Sequence, residues 1–193
     1  MARHKEFDRD EALQRAMEVF WARGYEATSM QNLIEHMRIN RQSLYDTFGD
    51  KHSLFLQALD RYQEVETRKF VAFMERPGSV RKTFQQLFRL VIDGSSNNER
   101  QRGCLMSNST SELASRCKAT AEKTVRHMRS IEEAFYRALL RGKKEGEFKE
   151  LSDPRAVARF LFNSFQGLVL TAKARPDRKA LTDVVKVTLS VLD

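Results

Sequence analysis

T-S-M-Q-N-L-I-E-H-M-R-I-N-R-Q-S-L-Y-D-T-F-G-D-K, residues 28–51, is the stretch whose pattern decides the fold. It predicts two short helices around a tight corner. Thr28 is placed to N-cap the first, with Gln31 three positions on at capping-box spacing. Met30, Leu33, Ile34 and Met37 then recur at the helical period and give one apolar face. Arg38 and Ile39 form the corner. Asn40 N-caps the second helix, and Gly49 ends it. That second helix has only Leu44 and Phe48 for a core. Arg41, Gln42, Ser43, Tyr45, Asp46 and Thr47 occupy its other faces. A helix with so little apolar surface is not built mainly to bury itself. In a helix-turn-helix, the first residues of the second helix point at base edges in the major groove. Arginine there reads guanine and glutamine reads adenine. The competing reading is a polar helix in a bundle that touches nothing.

The segment L-x-x-x-x-x-I-N-R-Q-S-L-Y-D-T-F-G-D-K-x-x-L-F, residues 33–55, resembles the DNA-binding domain of the tetracycline-repressor-like (TetR) family. Ser43-Leu44-Tyr45, Phe48, Lys51 and Leu54-Phe55 carry the likeness, which extends over residues 8–62. The remainder matches in length and helical layout. The resemblance implies an all-α fold, with an N-terminal three-helix domain containing the helix-turn-helix (1–50). A C-terminal helical ligand-binding and dimerisation domain (51–193) follows. It implies a ligand-responsive transcriptional regulator, a repressor, that binds an inverted-repeat operator in double-stranded DNA as a homodimer. A small apolar effector releases it. Arg41, Gln42 and Ser43 become base-reading candidates. Tyr45 and Lys51 become phosphate contacts, supported by Ser29 at a helix N-terminus. For Tyr45 the alternative is packing on a neighbouring helix. One position departs from the family, which usually has glycine where this chain has Arg38. If that residue needs positive φ, arginine costs about 1 kcal/mol more than glycine. Arg38 is then kept for a phosphate contact, or the corner is altered.

The net charge of +8 does not itself argue for DNA. Residues 1–62 hold nine Lys and Arg against ten Asp and Glu, so the basic excess lies beyond them. Placement is what counts: Arg3, Lys5, Arg38, Arg41 and Lys51 fall in an N-terminal arm, at the corner or at helix starts. Asp8, Asp10, Glu11 and Glu18 are expected to face solvent on the preceding helix. A chain with 31% charged and 41% hydrophobic residues is ordinary for a globular protein. No apolar run approaches the roughly 18 residues of a membrane span, and the N-terminus lacks a secretory signal, so a cytoplasmic protein is expected.

Around the central stretch the pattern predicts helices throughout. Residues 1–7 read as a basic arm. Asp8 caps a first helix, with Glu11 as its capping-box partner, and Gly24 stops it. Tyr25 packs over its end. A single long helix is expected over residues 50–75, shared by both halves and able to act as a lever. Further helices are expected over residues 79–93, 103–114, 118–144, 156–174 and 179–192. The last two carry surplus apolar surface, which suggests a homodimer through a four-helix bundle. A monomeric core is the alternative.

No glycine-rich phosphate loop, nucleophile elbow, zincin motif or paired-cysteine motif is found, and no enzyme, cofactor or metal is expected. Two cysteines in a chain of this length do not make a disulfide framework. The four histidines are scattered. The C-terminal half is rich in phenylalanine. Phe70, Phe73, Phe84, Phe88, Phe135 and Phe162, with Asn108 and Gln166 as isolated polar groups, are candidates for an effector pocket. Each ring is, on the bland reading, simply core. Cys104 is a further candidate, a thiol at the start of a short helix that could sense electrophiles or oxidants. Its alternative is a small buried residue. A helical binding or scaffold protein with a vestigial helix-turn-helix stays open as a second function.

Overall fold

A computed structural model describes residues 7–95, 102–148 and 151–193. Helices make up its regular structure: α1 (Arg9–Arg23), α2 (Met30–Met37), α3 (Arg41–Phe48), α4 (Lys51–Tyr62), α5 (Arg68–Glu75), α6 (Val80–Gly94), α7 (Leu105–Leu113), α8 (Lys118–Lys144), α9 (Pro154–Ala174) and α10 (Arg178–Leu189). The expected basic arm lies almost wholly outside the described residues. Packing divides the chain into two compact units: residues up to Glu66 with Cys104–Val125, and Thr67–Gly103 with Arg126–Asp193. The three-helix domain expected over residues 1–50 falls within the first.

Local chemistry sets the helix ends of the first unit. Backbone N–H groups of Asp10 and Glu11 donate to the Asp8 carboxylate at 2.8 and 3.0 Å. The reciprocal half of the expected capping box is absent, because Glu11 pairs with Arg15 instead. At α2 the expectation shifts by one residue. Ser29, not Thr28, is the N-cap, and its box partner is Asn32, not Gln31. Thr28 is buried, and its hydroxyl donates to the Gly24 carbonyl, so its oxygen is engaged elsewhere. Asn40 caps α3 as expected, through Ser43 N–H at 2.8 Å, and Asp50 caps α4 through Ser53 N–H at 2.7 Å.

The core of this unit is built on α1 against α4. Phe20 meets Phe55 edge-on with ring centroids 5.1 Å apart, and Tyr25 lies against both rings. Leu33 and Met37 of α2, and Leu44 and Phe48 of α3, close over it. Leu105, Met106 and Leu113 of α7 belong to the same core, a contribution from far along the chain. The run from Lys51 to Glu75 is helical throughout, but it is not one regular α-helix. Residues Gln63–Thr67 form a π-turn, and the line between the two units falls inside it.

In the second unit Phe84, Phe88 and Phe135 are fully buried, with Phe70, Phe73, Phe162 and Phe165 packed on them. A loop carboxylate secures the start of α6. Glu147 accepts from the Ser79 hydroxyl (2.7 Å), Val80 N–H (2.7 Å) and Arg81 N–H (3.1 Å). Burial alone would raise its pKa. These hydrogen bonds and the charge of Arg141 outweigh burial and hold it below the usual glutamate value. Nearby, the Phe148 ring lies so close to α8 that a Cβ at Gly142 would meet it at 2.3 Å.

Replacing Glu147 by Ala should lower folding stability by about 1–3 kcal/mol, because two helix N–H groups and a hydroxyl lose their acceptor. Urea unfolding at neutral pH measures this. Since the carboxylate's pKa is lowered on folding, its contribution is present at neutral pH and is lost in acid as it protonates. The gap between wild type and variant should therefore narrow as pH falls.

Candidate nucleic-acid interface

Arg38 has φ 55 and ψ 42, the left-handed conformation, and is the one non-glycine residue with positive φ among those described. The corner is therefore kept in its tight form with arginine in a glycine position. Ile39 turns inward behind it while Arg38 stays exposed. The α3 helix then starts one residue after the Asn40 cap. Its first-turn residues Arg41 and Gln42 are exposed, and Ser43 is half-buried. Leu44 and Phe48 anchor the opposite face.

Tyr45 is 44% exposed, with part of its ring covered and part presented to solvent. Gln42 is not idle, because its side-chain amide donates to Asp46 at 2.8 Å. Reading a base would exchange that exposed i,i+4 contact, worth a few tenths of a kcal/mol, for one in the groove. Ser29 accepts from Asn32 N–H as the α2 cap. A hydroxyl can accept and donate at once, so its proton remains for a phosphate.

Lys51 opens α4. Its ammonium sits 4.4 Å above the Tyr25 ring and 3.5 Å from the Glu26 carbonyl. Both contacts restrain the charge without neutralising it. Asp50 beside it is spent on capping: the hydrogen bond from Ser53 N–H holds its carboxyl below the usual range. The acidic residues of α1, Asp10, Glu11 and Glu18, face solvent. Each candidate on α2, α3 and α4 thus belongs to the first unit, together with the turn that orients it.

That turn has a support the sequence did not reveal. Glu112 of α7 accepts from the backbone N–H groups of Tyr25 and Glu26, at 2.9 and 2.7 Å. A single carboxylate thus clasps the α1–α2 turn just ahead of the Ser29 cap. An acid on a short polar helix carries no pattern that distinguishes this role from solvation.

The effector candidates separate. Cys104 and Asn108 fall in the first unit, and Cys104 packs partly buried against its core. The Tyr62 hydroxyl donates to the Cys104 sulfur at 3.6 Å. Phe70, Phe73, Phe84, Phe88, Phe135, Phe162 and Gln166 fall in the second. There the rings fill one another's space: Phe135 has Phe70, Phe84, Phe162 and Phe165 around it at 5.3–6.3 Å. A cavity of about 230 Å³ opens beside them, between α6 and α9. It is lined by Leu87, Leu90, Val91, Phe165, Val169 and Ala172, with Ser95 and Lys173 as polar groups. Of the phenylalanines in this half, Phe165 reaches it.

The chain is similar to known proteins in sequence and in fold. The model of bacterial regulatory proteins of the tetR family matches residues 12–58, and a tetracyclin repressor-like C-terminal domain matches residues 80–188. The HTH-type transcriptional regulator YezE of Bacillus subtilis (strain 168) is 41% identical over the full length of both chains. The HTH-type transcriptional repressor ComR of Escherichia coli (strain K12) is 30% identical, over 97% of this chain and 90% of its own. Among solved structures, a cysteine mutant of the TetR family transcriptional regulator CifR, in complex with 26-base-pair operator DNA, is 33% identical. It superposes with a TM-score of 0.82 over 99% of this chain and all of its own.

Arg38 yields a test in which stability and binding move in opposite directions. Arg38→Gly should raise folding stability by about 1 kcal/mol, by relieving the left-handed strain. If its guanidinium meets a phosphate, the same change weakens DNA binding and reduces the salt slope by about one. Thermal unfolding and a salt titration of duplex binding measure the two effects.

Proposed function

The chain belongs to the TetR family of bacterial transcriptional regulators, and on that premise we propose that it is an effector-released repressor acting as a homodimer on an inverted-repeat operator. DNA binding by a helix-turn-helix is the family's shared activity. The observation that carries its assignment to residues is the α3 helix, capped by Asn40 directly after the Arg38 corner, with Arg41, Gln42 and Tyr45 turned to solvent. Arg41, Gln42 and Ser43 read base edges. Arg38, Tyr45, Lys51 and Ser29 hold the phosphates that fix the register. Because the first sixty or so residues are not net basic, affinity rests on these few placed groups.

A homodimer is supported by the last two helices. Phe160 and Leu170 on α9, and Val184 and Val187 on α10, are large apolar side chains left exposed, Leu170 at 67% and Val187 at 71%. Covering such surface is what drives obligate association. Two copies then present their α3 helices to successive major grooves, roughly 34 Å apart. The apolar cavity between α6 and α9 supports a small apolar effector. The helical run from Lys51 to Glu75 joins the DNA-binding unit to the unit holding that cavity. An effector that favours another arrangement of this run lowers operator affinity by its differential binding to the two states. No described helix is long and apolar enough to cross a membrane.

Selection from random duplex DNA should enrich an inverted repeat. Arg41→Ala should then relax specificity at one position per half-site, at a cost of about 1–3 kcal/mol. Enrichment of single, unpaired half-sites would contradict the dimer, and no enrichment at any salt would contradict the reader. Sedimentation should show that Leu170→Asp with Val187→Asp converts a dimer to a monomer.

A further inference from the structure

His52 and Cys117 are 65 residues apart in the chain, yet the first unit brings His52 Nε2 to 3.5 Å from Cys117 Sγ. Cys117 immediately precedes α8, and the Thr120 N–H points at its sulfur, also at 3.5 Å. His52 lies in the first turn of α4. Cys117 is half-buried. The hydrogen bonds from Thr120 hold its pKa below the usual thiol value against the opposing effect of burial. A thiol at a helix N-terminus beside an imidazole is the arrangement that makes a cysteine nucleophilic. Neither residue contributes to the reading of DNA described above.

We propose that Cys117 and His52 form a reactive thiol–imidazole pair, that α,β-unsaturated carbonyl compounds modify it covalently, and that the adduct weakens operator binding. The last clause rests on the DNA-binding reading; the first two do not. In the reaction the Cys117 proton passes to His52 Nε2. The sulfur electron pair forms a C–S bond to the β-carbon of the reagent, and its π pair moves toward the carbonyl oxygen as an enolate. The imidazolium then returns its proton to the α-carbon. Thiol and alkene become a thioether, with no net oxidation and no further reactant.

The site's neighbours connect it to the DNA contacts. The Tyr25 ring packs edge-on against His52, with centroids 6.0 Å apart, and the same ring carries the Lys51 ammonium. Tyr25 N–H is also one of the two groups clasped by Glu112. An adduct on the sulfur replaces the Cys117–His52 contact, and the change passes through His52 to the Tyr25 ring and to Lys51 at the start of α4. Cys104 is differently placed, against the apolar core with the Tyr62 hydroxyl on its sulfur.

Limited labelling of the full-length protein with N-ethylmaleimide, mapped by peptide mass spectrometry, tests the pair. Cys117 should react roughly tenfold or more faster than Cys104, and His52→Gln should slow Cys117 by a similar factor. Equal rates at the two thiols overturn the pair, as does a Cys117 rate unchanged in a His52→Gln protein of native circular dichroism. Should that variant not fold, the comparison of the two thiols in the wild type still decides. The second arm uses the duplex enriched by selection. Protein fully labelled at Cys117 should bind it at least about tenfold more weakly, while reagent-treated Cys117→Ser keeps its affinity. Unchanged affinity of the labelled protein overturns the coupling. Failure of unlabelled wild type to bind any duplex would instead remove the DNA reading, with the labelling arm unaffected.

Discussion

The left-handed backbone at Arg38 is the constraint on which the arrangement of α2 and α3 depends. It turns the chain between α2 and α3 within two residues, so that Met37 and Ile39 on either side both point inward. Holding an arginine in this conformation costs about 1–2 kcal/mol. Burying Met37 and Ile39 returns roughly 1.5–3 kcal/mol each, so packing wins and the corner is kept. Without the turn, Leu44 and Phe48 could not close on the α1–α4 core while Arg41 and Gln42 face outward. The strain at Arg38 and the exposure of the first turn of α3 are thus two sides of one geometry.

Around that corner the first unit is stiffened by polar contacts made by backbone. Ser29, Asn40 and Asp50 each satisfy a helix N-terminus, and Glu112 satisfies the turn before them. These acceptors take backbone N–H groups and none of them is paired with Arg38, Arg41 or Lys51. This also explains how a domain without net positive charge serves as a DNA reader: the acids on α1 face solvent or serve as caps, and the bases sit where helices begin. Electrostatic attraction in such a molecule is local, and screening over about a Debye length separates the acidic α1 surface from distant contacts.

Much of this was legible in the chain. Helical period and cap residues gave α1, α3 and α8 nearly to the residue, and the missing glycine at position 38 marked the strained corner. Legibility failed where two neighbours could play one role. Thr28 and Ser29 both cap helices well, and only burial of Thr28 against Gly24 decides between them. It failed again where a role depends on tertiary approach. Glu112, and the meeting of His52 with Cys117, involve separations of 65 to 87 residues that leave no local pattern. The π-turn at Gln63–Thr67 interrupts a stretch whose composition favours an unbroken helix. The phenylalanines were legible as an apolar cluster. Whether rings surround a space or fill it depends on how they face one another, and here most of them fill it, while the cavity lies at their edge.

The contribution of α7 to the first unit has a consequence for synthesis. Leu105, Met106 and Leu113 complete a core whose other members end at Tyr62, and Glu112 reaches back to the α1–α2 turn. As the chain leaves the ribosome, the N-terminal part of this unit emerges first but lacks these partners for roughly the next forty to fifty residues. Its apolar seat for α7 stays open meanwhile, and its α1–α2 turn stays unclasped. The order of the genetic message and the order of folding therefore differ. The α2–α3 surface of the first unit reaches its final form only after part of the helical remainder has been made.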